Sequence, residues 1–173
     1  MENQNIKGAM CRPGRRNERN MSRIIERESF GPEETFALGE EIGRTARPGQ
    51  VCTLIGDLGV GKTVFTQGVA AGLGITEPVN SPTFTILRIY EGGRMPFYHF
   101  DVYRIGDVEE MEEIGYEDCF YGNGLCLVEW ADLIEEILPA CHIQVRIEKD
   151  LKRGFDYRRI RIEEKGQKED VGN

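Results

Sequence analysis

Gly56-Asp57-Leu58-Gly59-Val60-Gly61-Lys62-Thr63 sits between a short apolar run, Val51 to Ile55, and a stretch with helical spacing, Lys62 to Leu73. The eight residues fit G-x-x-x-x-G-K-[ST] without a mismatch, and strand, loop, helix is the order that this motif requires. The chemistry explains the spacing. Glycines let consecutive backbone N–H groups curl around a β-phosphate, the lysine reaches the β- and γ-oxygens, and the threonine hydroxyl binds Mg²⁺. The following helix points the positive end of its dipole at the same place. The bland alternative is a glycine loop that merely turns the chain, and a chance match flanked by both a strand and a helix is rare. The fold class that follows is α/β: a P-loop NTPase-like mixed sheet flanked by helices, in a single domain.

Upstream, Gly31 to Gly49 (GPEETFALGEEIGRTARPG) reads as a helix. Pro32 and Glu33 belong to its first turn, where proline is tolerated and acids suit the dipole. Phe36, Leu38 and Ile42 supply much of its apolar face, and Pro48-Gly49 stops it. Downstream, VNSPTFT (79–85) is a loop. Thr85 to Tyr90 and Phe97 to Tyr103 are β-rich and, separated by Gly92-Gly93, predict a hairpin. Asp107 to Ile114 has the pattern of a short acidic helix. Leu125 to Val128 is a buried strand ending at Glu129-Trp130, and Leu133 to Leu138 is helical until Pro139. His142 to Ile147 and Tyr157 to Ile162 alternate and are expected to pair antiparallel. The domain is expected over 23–163, between a basic disordered tail (1–22) and a polar C-terminal tail (164–173).

A phosphate-binding loop needs an acid on its metal side, usually at the C-terminal end of a neighbouring strand. Phe97-Tyr98-His99-Phe100-Asp101 and Leu125-Cys126-Leu127-Val128-Glu129 each end in one carboxylate. Glu129, on the more apolar strand, is favoured; for Asp101 a solvated strand end is an equal reading. The Ser81-Pro82-Thr83-Phe84-Thr85 hydroxyls lie where NTPases place a γ-phosphate-sensing loop, or form an ordinary proline turn. Trp130, the only tryptophan, is either a core aromatic or a lid or partner anchor beside a nucleotide. His99 and His142 read as structural, and no Ser/His/Asp or Cys/His constellation exists. Glu109, Glu110, Glu112 and Glu113 form a solvated helix face or a docking face for a basic partner.

The 173 residues carry a net charge of −8. Residues 1–20 hold five basic and two acidic side chains, and residues 149–173 hold eight and six, so the body between is left at −13. Such a body is no general binder of DNA or RNA, whose non-specific affinity needs clustered Lys and Arg. Five cysteines, odd in number and never in C-x-x-C spacing, read as buried or free thiols of a reducing compartment. No apolar stretch approaches the ~18 residues of a membrane span, and the N-terminus lacks the apolar core of a secretory signal. A cytoplasmic protein without membrane contact is expected.

GDLGVGKT, SPTFT, YHFDVYR, EEIGYEDCF and LVEW, in that order over roughly Phe30 to Arg161, resemble the bacterial TsaE (YjeE) family. Val60, Val64 and Ala131 stand where that family often has Ala, Thr or Ser, and Pro. The resemblance implies an ATPase needed to make N6-threonylcarbamoyladenosine at position 37 of tRNAs that read ANN codons. It implies ATP as substrate and Mg²⁺ as cofactor, with Gly56, Asp57, Leu58, Gly59, Val60, Gly61, Lys62, Thr63 and Val64 around the phosphates. It further implies Thr63, Asp101 and Glu129 on the metal side, Thr83 in a switch-like loop, and Trp130 beside the nucleotide. Glu33, Thr35 and Arg153 become candidates for the adenine. The implied partners are TsaB and TsaD, with tRNA reached only indirectly, and the implied activity is weak in isolation, which agrees with a sequence that offers no obvious arginine finger. A small-molecule kinase and a nucleotide-dependent assembly switch are the alternatives.

Overall fold

Val51–Ile55 and Leu125–Glu129 are apolar because they run through the middle of a sheet whose two faces are both covered. The computed structural model describes residues 23–166; the expected basic tail 1–22 and residues 167–173 lie outside the described residues. In chain order the elements are β1 (Ile24–Ser29), α1 (Pro32–Thr45), β2 (Val51–Ile55), α2 (Lys62–Gly72), β3 (Leu87–Tyr90), β4 (Phe97–Asp101), α3 (Glu109–Ile114), α4 (Tyr116–Phe120), β5 (Leu125–Glu129), a 3-10 segment (Ala131–Ile137), β6 (His142–Lys149) and β7 (Arg158–Lys165). The sheet order is β1-β7-β6-β2-β5-β4-β3. Strands β6, β2, β5 and β4 are parallel. Antiparallel β3 closes one edge, and antiparallel β7 and β1 extend the other.

Strand alternation divides the core in two. Cys52 and Leu54 of β2, Phe97 of β4, and Leu125 and Leu127 of β5 face α1 and α2, where they meet Phe65, Val69 and Leu73. Val51, Phe100, Cys126 and Val128 face the other way, onto Met111, Phe120 and Ile134. By the same parity His99, Asp101 and Glu129 belong to the α2 side. The β4–β5 register pairs Phe97 with Leu125, His99 with Leu127, and Asp101 with Glu129.

The contact between α1 and α2 departs from the expected apolar face. Leu38 and Ile42 are only partly buried against the core, while Gly39 and Gly43 are buried. A Cβ on Gly39 would lie 2.1 Å from the carbonyl oxygen of Phe65, and one on Gly43 2.0 Å from that of Val69. The reverse contacts are as close, from Gly68 to the oxygen of Phe36 (2.1 Å) and from Gly72 to that of Glu40 (2.2 Å). The two helices therefore touch backbone to backbone. Arg94 Nη2 closes the C-terminus of α1 by donating to the carbonyls of Gly43 (2.5 Å), Arg44 (3.1 Å) and Ala46 (2.9 Å), groups the helix itself leaves unpaired.

Other departures have local causes. Strand β1 was not anticipated, since Glu26, Arg27 and Glu28 break any apolar pattern; it is held at the edge by pairing with β7. Strand β3 begins only after Ile86, whose φ of 66° interrupts extended backbone. Gly115, at φ 77°, separates α3 from the unanticipated α4. The helix expected at Leu133 is 3-10 in form, starts at Ala131 and is kinked at Ile134. Strand β7 runs to Lys165, past the expected end of the domain at 163.

Cys52, Cys119 and Cys126 are buried free thiols, as expected, and burial pushes the Cys52 thiol up to about 12. Cys141 is the exception, being disulfide-bonded. No helix among the described residues is long and apolar enough to cross a membrane.

Gly43→Ala and Gly68→Ala are each expected to destabilise the protein by at least about 1–3 kcal/mol, because backbone must move to admit the methyl group. Gly92→Ala, whose Cβ would meet nothing closer than 3.9 Å, is expected to stay within about 0.5 kcal/mol. Denaturant midpoints of the three variants provide the check.

Candidate functional site

The glycines of the 56–63 loop are needed for different reasons. Gly59 (φ 70°) and Gly61 (φ 111°) occupy backbone regions that L side chains rarely adopt. Gly56 is required for space, since a Cβ there would lie 2.7 Å from both the Ile147 carbonyl oxygen and Val60 Cγ1. Val60 anchors the loop in the core, while Asp57, Leu58 and Gly59 are exposed. Lys62 opens α2 and is only 7 % exposed. Its ammonium donates to the carbonyl oxygens of Gly56 and Asp57. Thr63 is exposed at the same helix end, and Val64 is half-buried beside it.

Trp130 is partly buried against the core. Its backbone turns at φ 60° just after β5, its ring packs on Tyr103 at 4.9 Å between centroids, and the Lys62 ammonium lies 4.0 Å from the ring centroid. Burial pushes the Lys62 pKa below the ordinary lysine range, opposed by the negative charges of Glu129, Asp101, Asp57 and Asp132.

The two strand-end acids are both 3 % exposed, so Asp101 is not a solvated strand end. Glu129 Oε1 lies 3.0 Å from His99 Nε2 and 3.5 Å from Thr66 Oγ1 on α2. His99 is buried, and its Nδ1 has no partner. An orphaned acceptor is the cheaper arrangement than an orphaned donor, so the geometry fits a ring that carries its proton on Nε2 and donates it to Glu129. Asp101 Oδ2 accepts from Ser81 Oγ (2.8 Å) and Thr83 Oγ1 (3.1 Å), and Oδ1 from the Tyr103 N–H (3.0 Å). The 81–85 segment is thus tied to the acid at the end of β4 and is more than a free-standing turn.

The three residues considered for adenine lie around the junction of β1 and α1, Thr35 and Arg153 through the neighbouring partners Ser29 and Glu28. Thr35 is buried, shares a 2.8 Å hydrogen bond with Ser29, and packs behind Gly61, 3.9 Å from where a Cβ would sit. Glu33 is exposed in the first turn of α1. Arg153 pairs with Glu28 at 2.5 Å, lies over the Tyr157 ring at 4.5 Å, and belongs to a cluster that Phe30 joins edge-on.

Sequence reasoning did not anticipate the contact of His99 with Glu129, although parity alone places both on one face of the sheet. It also missed two cations beside the loop, Lys149 and Arg158, which end β6 and open β7.

The family model described as threonylcarbamoyl adenosine biosynthesis protein TsaE matches residues 30–160. The tRNA threonylcarbamoyladenosine biosynthesis protein TsaE of Bacillus subtilis (strain 168) is 52 % identical over 132 residues, covering 76 % of this chain and 80 % of that protein. Its namesake in Treponema pallidum (strain Nichols) is 41 % identical over 119 residues, covering 69 % and 87 %. The crystal structure of Bacillus subtilis YdiB matches with a TM-score of 0.73 at 43 % identity, over 86 % of this chain and 90 % of that one. Loop, acid pair, sheet order and these likenesses together mean that the chain belongs to the TsaE family.

Proposed function

We propose that this chain is the Mg-ATPase component of the machinery that makes N6-threonylcarbamoyladenosine at position 37 of tRNAs reading ANN codons. In this reading it binds a TsaB–TsaD core in the cytoplasm, hydrolyses ATP to support turnover of that core, and meets tRNA only through it. The relatives' names speak for the pathway. One observation carries the chemistry: Asp101 and Glu129, register partners at the ends of parallel strands, are buried on the face of α2 that begins with the glycine loop.

The residues divide the work as follows. Backbone N–H groups from Gly59 to Thr63 receive the phosphates, and Lys62 exchanges the carbonyls of Gly56 and Asp57 for phosphate oxygens. Among the described residues no group of three or more His, Cys, Asp or Glu is placed to hold a metal. Mg²⁺ takes one or two carboxylates together with substrate phosphates and water and needs no all-protein cage. Thr63, Asp101 and Glu129, all hard oxygen donors, are the residues that would hold it, and bound there it would neutralise charge on the β- and γ-phosphates. Glu129, steadied by His99 and Thr66, orients the attacking water. Asp101 couples the Ser81–Thr83 segment to the γ-phosphate side, and Trp130 covers Lys62. Glu33, Thr35 and Arg153 are assigned to the adenine end. Leu58 in the glycine loop and Phe84 in the 81–85 segment, 72 % and 83 % exposed, leave apolar surface for a partner to cover.

Lys62→Ala is expected to weaken Mg-ATP binding about 100-fold, the worth of two charge-assisted hydrogen bonds, with little change in melting temperature; an equilibrium titration beside a thermal melt checks this. Glu129→Ala is expected to keep nucleotide binding within about threefold while hydrolysis in the reconstituted complex falls about 10²–10⁴-fold. If that variant still supports full tRNA modification, nucleotide binding alone drives the assembly and the switch reading replaces hydrolysis.

A further inference from the structure

The hairpin of β6 and β7 backs the glycine loop with two cations that neither the motif nor the acid pair accounts for. Lys149 ends β6, Arg158 opens β7, and the two are register partners. Arg158 Nε donates to the carbonyl oxygen of Val60 at 2.6 Å. Its Nη1 donates to the carbonyls of Phe155 (2.9 Å) and Tyr157 (2.8 Å). No carboxylate among the described residues forms an ion pair with it. The Lys149 ammonium lies 3.9 Å from the position a Cβ on Gly59 would take. The loop also starts against this hairpin, because Gly56 abuts the Ile147 carbonyl of β6.

The bond to Val60 has a geometric consequence. The peptide joining Val60 to Gly61 is trans, so its C=O and N–H point in opposite directions. A donor that holds the Val60 carbonyl on the β7 side turns the Gly61 N–H to the opposite side. Gly61 has no side chain to resist a rotation of that peptide, and no acceptor among the described residues is paired with the N–H of Gly59 or Gly61. The peptide's orientation therefore depends on the guanidinium, through a charge-assisted bond of the stronger kind. The guanidinium is half-buried, and its described hydrogen-bond partners are all carbonyls.

We propose that Arg158 is a positioning residue for phosphate binding. It holds the Val60 carbonyl so that the Gly61 N–H faces into the cradle, and Lys149 adds a second positive charge behind Gly59. The hairpin thereby supplies the local cationic wall that an otherwise acidic body lacks. The inference rests on the phosphate-binding reading of the loop, and it assigns to Arg158 no contact with the phosphates themselves.

The test is an equilibrium titration of the full chain with two probes, Mg-ADP and inorganic pyrophosphate, for the parent, Arg158→Ala, Arg158→Gln, Arg158→Lys and Lys149→Ala, each beside a thermal melt. Arg158→Ala is expected to weaken both probes by the same factor, about tenfold or more, since the lesion lies in the cradle and not at the base. Arg158→Lys, which keeps a charged donor, recovers most of the loss, and Arg158→Gln recovers less. Lys149→Ala costs about threefold at low salt and less as salt screens the charge. A melting temperature that falls while both dissociation constants stay within twofold of the parent overturns the proposal, because the role is then structural. Should Arg158→Ala fail to fold, the comparison moves to Gln and Lys, and parental affinity in both overturns it. A parent that binds neither probe removes the phosphate reading and this inference with it; a parent that binds while the Arg158 variants bind equally well removes this inference alone.

Discussion

Two helices in this protein meet with nothing between their backbones, and that contact sets where the loop can be. Gly39 and Gly43 on α1 receive carbonyls of α2, and Gly68 and Gly72 on α2 receive carbonyls of α1. A side chain at any of the four positions would push α2 away from α1. The first residue of α2 is Lys62 and its second turn begins with Thr66, so displacing the helix displaces the loop lysine and the hydroxyl beside Glu129 together. Close packing of small residues here is a requirement of the site as much as of the core.

The sheet supplies the other half of the site by parity. Phe97, His99 and Asp101 share one face of β4, and Leu125, Leu127 and Glu129 share the same face of β5. Each strand begins on this face with apolar residues under α1 and α2 and ends with an acid beside the loop. The same alternation that buries the core therefore delivers two carboxylates to one place, out of water, where electrostatic interactions are stronger. Opposite charge arrives from Lys62 and from the far side of the loop, through Arg158 and Lys149. The body between residues 21 and 148 is strongly acidic in sequence, yet the loop itself is bordered by cations.

Much of this was legible in the residues. The glycine motif, the strand before it, the helix after it and the acid at the end of each apolar run all followed from spacing and periodicity. So did the antiparallel pairing of the last two strands. What stayed hidden were relations between distant segments. Spacing of four between Gly39 and Gly43, and between Gly68 and Gly72, is visible in the chain, but that the two pairs face each other is not. His99 meets Glu129 thirty residues later, and Arg158 reaches a carbonyl ninety-eight residues earlier; only the sheet order brings them together. Strand β1 escaped because an edge strand is held by backbone pairing and needs no apolar pattern. Trp130 escaped a single assignment because its ring packs partly against the core and at the same time lies under the Lys62 ammonium.

Transfer of the γ-phosphoryl group of ATP to water is the chemistry proposed for the site formed by the loop and the two buried acids. The most direct measurement is the fate of the label when the chain, reconstituted with TsaB and TsaD, is given γ-labelled ATP with and without Mg²⁺. Labelled inorganic phosphate is expected in step with ADP and dependent on Mg²⁺. Label that appears on a small molecule, or ATP that stays intact under conditions where the complex modifies tRNA, would contradict it.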